Sequence, residues 1–416
     1  MLHRRPYRNR WVRTTALSAG LLGLAVLGVV SGCADATKSG SEIKQEVRDQ
    51  HNRHFAELMA QTASQDFRVG NLDQALANID AAISYEPEYA PHYVLRGRIL
   101  IEQHRLDLAA HSLKAALELN PEACEAHYYI ALVYQRWSDL ETACAHYLDA
   151  ARIDPSSEDY MMAAIETLIS LKRLDEAEEL LSSALTHFEH SAGMHRAMGY
   201  VFFMRGEAST ASDYFRQAMM LAPDDMTVVE DYATALFQAG DPNEAQYQLA
   251  RLLSDADYTD RHDIRRLYAM CLLQTDHPVE ARLEYIKLTR LAPTNCDAWV
   301  ELGVLNHQLG DDSGLRQVSQ RLIGSWPTRF EGYMLRGLLN DRLGNFEQAS
   351  KDFRHAADLS GDLVEPWLLL GRALEQCGEQ TESEQAFATA RRLAAANAAQ
   401  AEDARLTFVP EDDSTH

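Results

Sequence analysis

Pro87, Pro121 and Pro155 are evenly spaced, two more steps of the same size reach Pro223, and Pro293 and Pro327 are again one step apart. The step is about 34 residues, too short for a domain and too long for a single helix. It marks a chain made of copies of one supersecondary unit, none of which can bury its apolar face alone, so that each must stack on its neighbours. The interval from Pro223 to Pro293 exceeds two periods by two residues, and the excess falls near Ser254-Asp255-Ala256-Asp257.

Within each period a small residue recurs at Gly97, Ala131, Gly199, Ala233, Ala269, Gly303, Gly337 and Gly371, followed twelve residues later by an alanine at Ala109, Ala143, Ala211, Ala245, Ala281 and Ala349. Large apolar residues occupy the helical spacings around both, which predicts two antiparallel helices per unit. The expectation is that the small residue faces the alanine and lets the two backbones approach. The stretches GNLDQALANIDAAISYEP from Gly70 and GEASTASDYFRQAMMLAP from Gly206 carry the pattern most fully. They resemble the tetratricopeptide repeat. That resemblance implies an all-α, right-handed superhelical solenoid of about ten helix-turn-helix repeats over residues 56–393, beginning near Ala56, Ala90, Cys124, Glu158, Ala192, Met226, His262, Cys296, Phe330 and Val364. Glu189 and Gly361 replace the closing proline, and the eighth repeat carries Leu315 and Ser319 at two packing positions. Asp241-Pro242-Asn243-Glu244 has an acidic N-cap and a proline at the first helical position. The two-residue excess predicts a hinge near Ser254 to Tyr258, because a solenoid transmits order only through neighbouring interfaces.

The ends differ from the array. Arg4, Arg5, Arg8, Arg10 and Arg13 precede an apolar run from Ala16 to Val30, a run of about 15 residues that is short for a permanent bilayer span and fits an export signal over residues 1–32. Val30-Ser31-Gly32-Cys33 resembles the lipobox of bacterial lipoproteins, which implies cleavage before Cys33 and acylation there; a plain secretory signal with an incidental cysteine is the alternative. The Arg4-Arg5 pair lacks the apolar residues of a twin-arginine signal. Ala34, rather than an aspartate, follows the cysteine, so the resemblance favours the periplasmic face of an outer membrane. Residues 33–55 read as a tether and a capping helix with Ile43, Val47 and Phe55 on one stripe, and residues 394–416 as a helical cap and an acidic tail.

A net charge of −23 over 416 residues disfavours nucleic acid and anionic lipid as partners. Cys124, Cys144, Cys271, Cys296 and Cys377 have no paired spacing and read as small buried apolar residues. G-x-S-x-G, GK-containing phosphate loops, H-E-x-x-H and EF-hand loops do not occur, so a non-enzymatic chain without cofactor is expected. His51 with His54 and His187 with His190 are single-turn pairs lacking a third ligand, and no metal site is expected. Gly310-Asp311-Asp312-Ser313-Gly314 reads as the turn inside one repeat.

Function then falls to a binding surface. In the family, the second, fifth, ninth and twelfth positions of each first helix line the inner groove. Here those positions hold Ile101, Tyr128, Leu132, Met162, Ile169, Tyr200, Phe203, Phe237, Met270 and Leu273, flanked by Glu125, Asp159, Glu166, Glu230 and Asp263. Leu132 and Ile169 could equally pack between repeats, whereas Tyr200, Phe203 and Phe237 are expected to be exposed. The Lys, Asn and Arg clamp of the chaperone-binding members is lacking. Tyr128, Met162, Tyr200, Phe203, Phe237 and Met270 are the candidate partner-binding residues, suited to an apolar or basic segment of an envelope protein. Lipobox and repeats together look like the lipoproteins of pilus and secretion assembly or of exopolysaccharide export; a glycan-binding role is the competing class.

Overall fold

The computed structural model describes residues 40–407, and among them twenty helices and no strand. They fall into ten pairs: α1 (Gly40–Val69) and α2 (Leu72–Tyr85); α3 (Ala90–Glu102) and α4 (Leu106–Leu119); α5 (Cys124–Arg136) and α6 (Leu140–Ile153); α7 (Glu158–Ser170) and α8 (Leu174–Leu185); α9 (Ala192–Met204) and α10 (Ala208–Leu221). The series continues with α11 (Met226–Ala239) and α12 (Pro242–Ser254); α13 (His262–Gln274) and α14 (Pro278–Leu291); α15 (Cys296–Gln308) and α16 (Asp312–Ser325); α17 (Phe330–Arg342) and α18 (Phe346–Leu359); α19 (Val364–Cys377) and α20 (Gln380–Thr407). The first pair lies in a compact unit ending at Glu88, and the other nine form a second unit beginning at Tyr89.

Each pair turns at one residue in the left-handed region: Gly70, His104, Ser138, Lys172, Gly206, Gly240, Asp276, Gly310, Gly344 and Gly378, with φ between 58° and 86°. These turns repeat with the period of the prolines, including the two-residue excess between Gly240 and Asp276. At Gly206 a Cβ would meet nothing within 4 Å, so glycine is needed there for its backbone angle alone. The next helix then starts on a cap in several repeats. Asp139, Asp241 and Asp311 each accept from a backbone N–H three residues on, and Pro242 sits in the first turn of α12.

The helices of a pair meet differently from the expectation. A Cβ on Gly97 would lie 2.6 Å from Leu113, on Gly199 2.7 Å from Phe215, on Gly337 2.6 Å from Phe353 and on Gly371 2.7 Å from Phe387. The small residue therefore receives a large side chain from four residues beyond the alanine, one turn further along the second helix. Ser319 occupies that position in the eighth repeat and cannot fill the space at Gly303. Leu335, from the following repeat, enters instead, and Val318 closes the other side.

In the second unit the core passes from repeat to repeat. One cluster joins Ala131, Tyr147, Ile165, Leu181 and Met198, the next joins Phe215, Val229, Leu249 and Ile264, and another joins Ala269, Tyr285, Leu302, Leu322 and Leu339.

Three expectations need correction. No glycine or proline interrupts residues 41–69, so the separate capping helix and the first repeat helix are one continuous α1, on which Ile43 and Val47 are 51% and 59% exposed. The two extra residues between the sixth and seventh repeats are fastened rather than loose. Tyr258 is buried, its N–H donates to the Asp255 carbonyl, and the Arg265 guanidinium donates to the Thr259 carbonyl at 2.6 Å. Cys144 and Cys271 are buried as expected, but Cys377 is exposed.

Candidate functional site

The candidate residues lie on the first helices of repeats three to seven, and all six are half-buried. Tyr128, on α5, sits in a group of phenol rings, with centroids 5.2 Å from Tyr129, 5.5 Å from Tyr147 and 5.2 Å from Tyr160. The Arg98 guanidinium lies 4.9 Å over the Tyr129 ring, a favourable cation–π distance. Burial, followed by the carboxylates of Asp159 and Glu166, pushes the Tyr128 hydroxyl up, so it stays a neutral donor. Met162, on α7, packs with Tyr128, Tyr160 and Ile169 against the core of repeats three to five. A Cβ on Gly193 would lie 3.7 Å from its methyl carbon. Glu125, Asp159 and Glu166 are exposed along this stretch, which gives it an apolar floor and an acidic edge.

Repeats five and six are arranged otherwise. The Tyr200 hydroxyl, on α9, donates to Asp231 Oδ1 at 2.6 Å, the Arg196 Nε donates to Asp231 Oδ2 at 2.6 Å, and Arg196 Nη2 reaches the Tyr200 oxygen at 3.2 Å. Burial pushes the Asp231 carboxyl up against the pull of Arg196. The Tyr200 ring meets the edge of Phe215 at 5.3 Å and Phe203 does so at 6.5 Å, while Phe237 packs on the same core. The expectation that Tyr200, Phe203 and Phe237 stand free is thus corrected: Asp231, on the first helix of the following repeat, draws Tyr200 into a bond between repeats. Ile101, assigned to the groove, is buried. Met270 is half-buried on α13.

Asp231 is one rung of a series that the sequence reading missed. Glu230 pairs with Arg261 at 2.7 Å, Asp297 with Arg329 at 3.2 Å, and Asp341 with Arg372 at 2.8 Å, each joining one repeat to the next. In these three the available signal was an arginine recurring just under one period after an acid, whereas Arg196 precedes Asp231 by just over one period. Arg261 also binds Asp263 at 2.7 Å, so two of the five acids assigned to the groove flanks are engaged with one guanidinium. Also missed was a cluster within the third repeat. His127 Nδ1 lies 3.0 Å from His146 Nδ1 and 3.8 Å from Asp149 Oδ2. Burial, then the neighbouring His127, holds the His146 imidazole below its ordinary value. Cys33 and the tail from Pro410 lie outside the described residues.

Helix pairs that share a core only with their neighbours, and present side chains of successive first helices along one face, define a helical-repeat scaffold. A tetratricopeptide-repeat family model matches residues 86–257 and a second matches residues 330–363. The chain is a solenoid of tetratricopeptide repeats. It is 25% identical over 171 residues to the Vi polysaccharide export protein VexE of Salmonella typhi, covering 36% of this chain and 26% of that protein. It thus spans about a quarter of the length of that relative. Among solved structures it is similar to a tetratricopeptide repeat protein of Parabacteroides merdae, with 18% identity, a TM-score of 0.44, and 61% of this chain and 99% of the other covered. It is also similar to PilW, a type IV pilus biogenesis factor, with 17% identity, a TM-score of 0.42, and coverage of 49% and 94%.

Proposed function

We propose that this chain is a lipid-anchored scaffold of the bacterial cell envelope that holds an apolar or basic segment of another envelope protein on the first-helix face of repeats three to seven, in the assembly of a pilus or secretion complex. The observation that carries it is the run of half-buried apolar side chains on successive first helices, Tyr128, Met162, Phe203, Phe237 and Met270, where a soluble repeat without a ligand would present polar ones. Exposed Asp159 and Glu166 at the edge favour a basic complement. Tyr200 contributes as a wall that is already fixed. Cys33 supplies the anchor: each acyl methylene contributes about 0.8 kcal/mol, and more than one chain makes attachment stable.

Crosslinking tests the reading. A photoreactive residue in place of Met162 should trap an envelope protein in living cells, whereas one in place of Tyr247, 67% exposed on the second helix α12, should not. Traps from Tyr247 alone would place the binding face elsewhere. Cys33→Ala should release the protein from the membrane fraction in a folded form, and undiminished retention would remove the lipid anchor from the proposal.

The similarity to VexE favours a second reading, in which the same face serves a polysaccharide-export machine. Recovery of an export component rather than a pilin or secretin from the Met162 crosslink would select it.

A further inference from the structure

The cluster in the third repeat carries a second kind of chemistry. His127, on α5, is 9% exposed, and its Nε2 lies 3.0 Å from the Pro121 carbonyl oxygen. A carbonyl only accepts, so this contact places the His127 proton on Nε2 and turns a bare Nδ1 lone pair toward α6. On α6, His146 and Asp149 stand three residues apart, on one face of the helix. Their ligand atoms and His127 Nδ1 all lie within 4.8 Å of one another.

A hydrogen bond between the two rings would by itself explain the 3.0 Å spacing of the Nδ1 atoms. It would not require a carboxylate oxygen at the same point, nor a backbone carbonyl locking the first ring. Both are what a metal-binding imidazole wants: a third anionic donor, and an outer partner that fixes tautomer and ring orientation. Two zinc–nitrogen bonds of about 2.0 to 2.1 Å at a tetrahedral angle hold their nitrogens roughly 3.3 Å apart. The rings need to open by only a few tenths of an ångström. Asp149 keeps its two oxygens apart in role, with Oδ1 3.3 Å from Arg152 and Oδ2 toward His127. Its side chain is 42% exposed, which leaves an entry path and room for water as a fourth ligand.

We propose that His127, His146 and Asp149 form a site for one divalent transition-metal ion of the zinc class, clamping α5 to α6 beside Tyr128. Two imidazoles and a carboxylate suit zinc, and copper and nickel also, over magnesium or calcium. The ion would replace the single proton now shared between the rings and stiffen the third repeat, whose next residue, Tyr128, belongs to the candidate binding face.

The test uses the untagged full chain in detergent, stripped with chelator and titrated with zinc chloride by calorimetry. One ion per chain with a Kd of about 10 µM or tighter is expected, together with a rise in Tm in excess zinc. His127→Ala is a poor probe because the ring is buried and its loss could unfold the repeat. His146→Ala and Asp149→Asn, at more accessible positions, carry the test and should weaken binding by about thirtyfold and tenfold while the metal-free Tm changes little. Cobalt(II) should give visible absorption bands of tetrahedral intensity with the parent chain and lose them with His146→Ala. His187→Ala with His190→Ala should leave the titration unchanged. Zinc binding that neither His146→Ala nor Asp149→Asn weakens, or a Kd above about 1 mM, would reduce the cluster to a hydrogen-bonded pair of rings.

Discussion

Gly199 and Gly206 stand on the same helix and the turn that ends it, and are glycine for different reasons. At Gly199 the constraint is space, since a methyl group would press on the Phe215 ring. Gly199→Ala should cost about 1 to 3 kcal/mol as overpacking. At Gly206 the constraint is a φ of 83° with open space beyond, and Gly206→Ala should cost about 1 kcal/mol from the backbone alone. Phe215→Leu should therefore relieve part of the first loss and none of the second, as read by denaturant melts of each double variant. The converse holds at Lys172, which occupies the same turn with φ 60°; Lys172→Gly should leave stability unchanged or raise it by up to about 1 kcal/mol. A pH effect belongs to this scale as well. Burial, then Arg342, holds His307 below its ordinary value, so the unfolded chain binds that proton more readily than the folded one. Its contribution is complete above about pH 6.5 and is lost as the pH falls through that value toward the lower folded one. His307→Gln should flatten the fall of Tm between about pH 7 and 5, and an unchanged slope would assign the loss to other groups.

Among elements, the segment between α12 and α13 is where sequence and structure part most usefully. Two surplus residues look like slack in a periodic chain. Here they form a turn that drives Tyr258 into the core of repeats five to seven, while Arg261 reaches back to Glu230. Tyr258→Ala should cost about 3 kcal/mol, and hydrogen exchange should find the amides of Tyr258, Thr259 and Arg261 protected, since each donates within the segment. Exchange as fast as in an open loop would restore the hinge. The repeat phase was legible because turns and prolines are local signals: nine first helices, from α3 to α19, begin at the residues the spacing indicated. The exposure of Tyr200 was not, because its fate depends on Asp231 in the next repeat. The pairing of Gly199 with Phe215 rather than Ala211 was not, because both are apolar at compatible spacings and only the helix offset separates them. His127 and His146 escaped notice because they sit on different helices with a turn between them, and no short motif spans that distance.

At the scale of the whole molecule two electrostatic effects oppose each other. The net charge of −23 repels itself over long distances, where salt screens well. The arginine–acid rungs act at 2.6 to 3.2 Å, and two of them, Arg196 with Asp231 and Arg261 with Glu230, are partly buried, where salt screens poorly. Raising sodium chloride from about 10 to 200 mM should therefore raise Tm, since the Debye length shrinks from roughly 30 Å to below 10 Å and removes mainly the repulsion. A fall in Tm would mean that the rungs dominate.

The space at Gly303 reaches further than packing. Repeat arrays grow and shrink by copying or dropping whole units, which requires that each unit be complete when its boundaries are redrawn. The eighth unit is not complete, because Ser319 leaves open what Leu335 of the ninth must fill. A duplicated eighth unit would set a second copy of Gly303 against a neighbour whose first helix carries Glu301 in the place of Leu335. In this part of the chain the smallest segment that can be inherited intact is two repeats long, so natural variants that change the repeat number should break the array elsewhere.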